Sequence, residues 1–189
     1  MNDKPLLIFF IGPPGSGKTY FGTRLAAKIA AVRLSSDATR IEMFGSSEKV
    51  EQIRRGRLQF MLQAPVFGAI NYAAQQVLRA NKSVILDSQA TQRSVRRRHE
   101  KLAADCDAVP ILVWIKTPPD LAINRGQVRQ ARDDSIPYSE AKMRELMEIF
   151  SKNIDLPEST ENLIEISGEQ PFESQYSSFK AQLSTILSS

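Results

Sequence analysis

The chain has one cysteine, Cys106, and one histidine, His99. A lone thiol excludes an internal disulfide and suits a reducing compartment. No Cys or second His accompanies His99, so neither a zinc site nor a histidine-based nucleophilic triad can be assembled; the side chain reads as surface. Long apolar runs are missing too. Residues 5–11 form a continuous apolar stretch far too short to cross a bilayer and without a cleavage region, so no membrane or targeting segment is expected and the cytoplasm is the default location. There is no internal repeat and no low-complexity tract. What is left is an ordinary composition, 42% hydrophobic and 24% charged, in 189 residues: enough for one α/β domain over 1–189, too few for two.

Charge is unevenly placed. The net of +4 divides into 21 Lys and Arg against 10 Asp and Glu over residues 1–132, and 4 against 11 over residues 133–189. A basic first portion holding all arginines but Arg144 favours a polyanionic ligand, although a nucleotide triphosphate alone accounts for part of it.

That portion contains Gly12-Pro13-Pro14-Gly15-Ser16-Gly17-Lys18-Thr19, which fits the phosphate-binding pattern G-x-x-x-x-G-K-[ST]. The apolar stretch before it reads as a strand buried on both faces, and Phe21, Leu25, Ala26 and Ile29 after it follow helical spacing. Strand, glycine loop and helix come in the order a phosphate cradle needs: glycines admit the anion close to the backbone, and the helix N-terminus offers unpaired N–H groups. Lys18 is expected to reach the β- and γ-phosphates and the Thr19 hydroxyl to ligate Mg²⁺.

Residues 31–35 read as a second strand, with Asp37 just past its end, where ligands of open parallel sheets collect. Asp37 equally suits the N-cap of the next helix, which carries Arg40, Ile41 and Phe44. Residues 45–50 read as a polar link and residues 51–79 as a helix interrupted or kinked at Pro65, whose Arg54, Arg55 and Arg57 look like a solvated face, the alternative being that they extend a phosphate track beyond Arg40. Residues 83–87 form a third strand ending in Asp87, the hydrophobic strand plus aspartate that holds a Mg²⁺ shell. Ser88 follows it in place of a water-activating glutamate, so transfer to an acceptor is more natural than hydrolysis. In the next helix Arg96 and Arg97 lie close enough to the strand end to meet a substrate anion. A fourth strand over 109–115 leads into a helix bearing Arg125, Arg129 and Arg132 near one face, a grouping that calls for an anion. A helix over 139–150, a fifth strand over 163–166 and a closing helix over 172–187 complete a doubly wound parallel sheet.

Taken together, these residues resemble the P-loop kinases related to polynucleotide 5′-hydroxyl kinase, with zeta toxins as more distant relatives. The match runs in order over most of the chain: the glycine loop; D-x-x-R as Asp37-Ala38-Thr39-Arg40; the strand aspartate Asp87, with Arg96 and Arg97 some nine residues on; the lid motif R-N-x-x-R as Arg125-Gly126-Gln127-Val128-Arg129; and P-x-x-x-E with Pro157 and Glu161. Gly126 stands where Asn is usual, and Ser88-Gln89 replaces a small residue and threonine. The resemblance implies strand order 2-3-1-4-5, ATP and Mg²⁺ as cofactors, and a lid at about 119–138. It implies Asp37 as general base, Arg40 holding a phosphate on the acceptor, and Arg125 and Arg129 closing over ATP. The implied activity is phosphoryl transfer to a hydroxyl, first of all at a nucleic-acid 5′ end. A kinase acting on a nucleotide sugar or metabolite is the rival. A guanine-reading switch is disfavoured, because Asn81-Lys82-Ser83-Val84 lacks the aspartate of N-K-x-D.

Overall fold

The apolar stretch before the glycine loop is strand β1 (Leu6–Ile11), and it lies where a strand apolar on both faces has to lie, in the middle of the sheet. The structure, a computed structural model, describes residues 4–55, 63–127 and 139–188. β1 pairs in parallel with β3 (Val84–Gln89) and with β4 (Val109–Lys116). Beyond β3 lies β2 (Val32–Ser35), and beyond β4 lies β5 (Leu163–Ser167), again parallel. The order β2-β3-β1-β4-β5 is the one the resemblance implied.

Parallel neighbours need crossovers. These run through α1 (Lys18–Lys28), α2 (Ser36–Phe44), α3 (Ser47–Arg55), α4 (Gln63–Arg79), α5 (Arg93–Ala104), α6 (Pro119–Gln127) and α7 (Glu140–Asn153), and α8 (Phe172–Ser188) closes the chain. Alternate residues of β1 feed two cores. Leu7, Phe9 and Ile11 pack with Val66, Ile70 and Leu78 of α4 and Leu102 of α5, while Ile8 and Phe10 pack with Phe21 and Leu25 of α1 and Phe179 of α8. Each such side chain removed from water contributes about 1.5–3 kcal/mol, so the middle strand anchors both layers. Among the described residues no helix is long and apolar enough to cross a membrane.

One irregularity in the sheet bears on the site. Phe9 pairs with Leu86 but Phe10 pairs with Gln89, so Asp87 and Ser88 bulge out of the β1–β3 ladder at its C-terminal end.

Local chemistry overturns several expectations. Gly45 closes α2 in the left-handed conformation (φ 90°), and Ser46 at once opens α3 by accepting from Lys49 N (3.3 Å), so residues 45–50 hold a helix start and not a link. Pro65 lies in the first described turn of α4, and the residues before Gln63 on which an interruption there depends, Arg57 among them, lie outside the described residues. The cap of α2 is Ser35, which accepts from Ala38 N, and Asp37 sits inside the first turn.

The arginine-rich α5 also differs from expectation, because Arg96, His99, Leu102 and Ala103 fall on its inner face. His99 is buried against Phe9 with ring centroids 5.0 Å apart, not on the surface. Burial, aided by the charge of Arg98, lowers its pKa to about 4. Arg96 is fully buried and cannot meet a substrate anion. Its Nε and Nη2 donate to the two oxygens of Glu161 (2.7 and 3.1 Å), and Nη1 donates to the carbonyls of Thr91 and Asp155. Burial pushes the Glu161 carboxyl up, but the Arg96 and Glu158 N–H donors and the charges of Arg96 and Arg93 outweigh it and hold the pKa below the ordinary value. The arginine and the glutamate of two separate sequence motifs are thus one buried pair that straps residues 155–161 across the start of α5, where Asp155 also accepts from Arg93 N (2.7 Å).

Candidate active site

The C-terminal ends of β1, β2 and β3 meet at the glycine loop. Gly17 (φ 104°) turns the chain into α1 with no side-chain cap, so the first N–H groups of the helix face the loop. Gly15 (φ 77°) has no room for a Cβ, which would collide with the Ala122 carbonyl of α6. Lys18 Nζ donates to the carbonyls of Gly12 (2.7 Å) and Pro13 (2.8 Å), which holds its charge within the loop. Ser16, inside the loop, is fully buried.

Asp87, released from the β1–β3 ladder by the bulge, brings its Oδ1 to 3.3 Å from the Thr19 hydroxyl. Its Oδ2 accepts from Arg33 Nε (2.9 Å) and Nη2 (2.6 Å). Two hard oxygens side by side, next to a phosphate cradle, fit Mg²⁺, which takes one or two protein ligands and completes its shell with phosphates and water. Among the described residues no cluster of three or more His, Cys, Asp and Glu could cage a metal by itself.

Ser35 pairs with Asp87 across β2 and β3, so Asp37, two residues on, begins α2 beside the same sheet edge. Its Oδ1 accepts from Arg40 Nη1 (3.0 Å), one turn later, and from Arg54 Nη2 (3.1 Å) of α3. All three side chains are largely buried. Arg125 of α6 donates to the Gly168 carbonyl (2.7 Å), and a Cβ on Gly168 would strike Thr117 and the Ser16 carbonyl. The arginine therefore reaches the turn after β5 that packs on the glycine loop. Arg97 is exposed and points to Glu158 (3.6 Å). Arg129 and Arg132 lie outside the described residues.

The structure thus places Asp87 against Thr19 at the glycine loop, and Asp37 with Arg40 just past β2, the strand that pairs beside Asp87, with Arg125 at the loop's outer side. It adds Arg33 and Arg54. A charged residue inside a short apolar strand was the available sign for Arg33; Arg54 was visible only as part of a basic cluster, since its contact with Asp37 depends on α3 folding back on α2.

A family model described as AAA domain matches residues 7–152. None of the curated proteins matches the sequence. The fold is similar to that of a gluconokinase from Sinorhizobium meliloti, 17% identical over 96% of this chain and 93% of that one, TM-score 0.65. It is similar to Kti12 of Chaetomium thermophilum in complex with ADP-AlF3, 18% identical over 94% and 96%, TM-score 0.66. It is also similar to the APS kinase of Mycobacterium tuberculosis in complex with AMPPNP and APS, 15% identical over 96% and 98%, TM-score 0.67. At these identities the likeness is one of fold.

Proposed function

Because this chain belongs to the AAA domain family, we propose that it is a Mg²⁺- and ATP-dependent kinase acting on an acceptor hydroxyl, with a nucleic-acid 5′ end as first choice. The supporting observation is the cluster just past the end of β2, whose last residue, Ser35, pairs with Asp87: a carboxylate, Asp37, flanked by Arg40 and Arg54. A carboxylate beside a phosphate cradle serves a proton-releasing nucleophile, and two guanidiniums beside it serve an anion on the same acceptor.

In this reading the loop backbone and Lys18 hold the β- and γ-phosphates, and a groove of about 620 Å³ lined by Pro13, Thr117, Trp114 and Phe150 takes the rest of the nucleotide. Thr19 and Asp87 Oδ1 hold Mg²⁺, which supplies charge on the phosphate oxygens. Asp37 accepts the acceptor's proton as its oxygen bonds the γ-phosphorus and the bond to the β-bridging oxygen breaks, releasing ADP. Arg125, with Arg129, neutralises charge on the transferring group, and residues 119–138 serve as the lid of a single domain spanning 1–189. A loose transition state depends on such positioning and charge more than on covalent chemistry.

The second reading, a small-molecule kinase, draws on gluconokinase and APS kinase as fold neighbours. Both readings share the Asp37 chemistry and differ in what Arg40 and Arg54 grip. Labelled ATP with 5′-hydroxyl oligonucleotides, nucleoside 3′-phosphates, plain nucleosides and sugar acids separates them. Preferred labelling of the phosphate-bearing nucleic-acid acceptors, lost in Arg40→Ala, is expected. Labelling confined to a sugar derivative would leave the transfer chemistry and remove the nucleic-acid acceptor.

A further inference from the structure

The two oxygens of Asp87 are used for different things. Oδ1 faces the Thr19 hydroxyl, while Oδ2 is held by two nitrogens of one guanidinium, Arg33 Nε and Nη2. Arg33 comes from an outer strand: it pairs with Ile85, whose side chain lies in the α1-side core, and so stands on the same sheet face as Asp87, two residues farther along β3. The pair is secluded, with 17% of the Arg33 side chain and 7% of the Asp87 side chain exposed, so solvent screens it weakly.

We infer that Arg33 is a positioning residue for the metal side of the site: by binding Oδ2 it aims Oδ1 at the cation and tempers the carboxylate's charge. This rests on reading Thr19 and Asp87 as the Mg²⁺ residues. The terminal torsion of an aspartate is soft and roughly two-fold, so a carboxylate left to itself turns freely, whereas Mg²⁺ demands near-octahedral placement of each ligand. A donor on the outer oxygen removes that freedom, as partners behind a metal ligand commonly do. The guanidinium also offsets much of the Asp87 charge, so a cation gains little by arriving alone and is retained when it brings nucleotide phosphates with it. Metal binding is thereby tied to nucleotide binding.

Manganese is the probe, followed by its electron paramagnetic resonance with and without ADP, in the intact protein and in Arg33→Met, Arg33→Lys and Asp87→Asn. Arg33→Met is expected to bind Mn²⁺ roughly three- to tenfold more tightly, including without ADP, because the opposing charge is gone. Its kcat with Mg²⁺ and ATP is expected to fall about tenfold or more, as when a partner behind a ligand is removed. Arg33→Lys keeps the charge but not the two-nitrogen grip, so Mn²⁺ affinity stays near that of the parent while kcat still falls. Unchanged or weaker Mn²⁺ binding in Arg33→Met overturns the inference. Should the variants not fold, nuclear magnetic resonance of the parent protein decides: the Arg33 Nε–H stays protected from exchange when Mg²⁺ and ADP are added, and loss of that protection overturns it. Equal Mn²⁺ binding by the parent and Asp87→Asn would remove the metal reading itself, and Arg33's role with it.

Discussion

Asp37 accepts from two arginines, whereas the Nε2 of buried His99 has no hydrogen-bond partner among the described residues. An amide oxygen can accept from Arg40 and Arg54 as the carboxylate does, and Ser35, not Asp37, caps α2. Asp37→Asn should therefore leave melting temperature and ATP affinity nearly unchanged while transfer falls by roughly two to four orders of magnitude, the usual worth of a positioned base. Parallel losses of nucleotide affinity or thermal stability would make Asp37 structural. For His99 the protonated form is the costly one: it has no hydrogen-bond partner at Nε2, and its pKa drops from 6.5 to about 4 on folding. Between those values the unfolded chain binds a proton that the folded chain refuses, so stability is full above pH 6.5 and is lost as pH falls toward 4. The loss is at most about 3 kcal/mol. Urea melts at pH 7 and pH 5 should show this contribution in the parent and not in His99→Leu. None of it was legible in the sequence, where a histidine amid four arginines looks wetted; only the inner face of α5 reveals otherwise.

At the scale of elements, α6 and α7 meet at Gly126, where a Cβ would collide with the thioether end of Met143, itself buried. The departure from asparagine in the lid motif therefore has a packing cause: this chain fills with Met143 the space a side chain at 126 would need. Gly126→Asn should destabilise by about 1–3 kcal/mol, the cost of overpacking. In a Met143→Ala background most of that cost should vanish, as denaturant melts of the four combinations would show; an equal cost in both backgrounds would place the strain elsewhere. The same scale shows what a linear reading resolves. Apolar strands and the glycine loop were legible because each rests on adjacent residues: β1 and β4 were placed within about a residue. The α2–α3 junction was not, since one left-handed glycine followed by a capping serine makes a corner that polar composition hides. Arg96 and Glu161, 65 positions apart, were each visible as motif residues, but not as partners.

Across the whole molecule the basic first portion shrinks on folding. Arg33 is tied to Asp87, Arg93 and Arg96 to glutamates, and Arg40 and Arg54 to Asp37, so few of the described arginines near the site remain to neutralise a polyanion. Oligonucleotide binding should accordingly weaken with salt at a slope equivalent to roughly two or three phosphates, well short of a long track. A slope near zero would favour a small acceptor. The strand order was legible through the resemblance alone, because nothing local says which strands become neighbours. That order has a consequence for synthesis. β1 is the first strand to leave the ribosome, yet both strands that flank it are made much later, β3 from Val84 and β4 from Val109. The glycine loop is synthesised well before the bulge that presents Asp87 and the turn after β4 that supports Ser16. A nucleotide that stabilises the finished protein therefore cannot help the unfinished one, and the apolar strand waits at the tunnel exit in need of whatever shields nascent chains there.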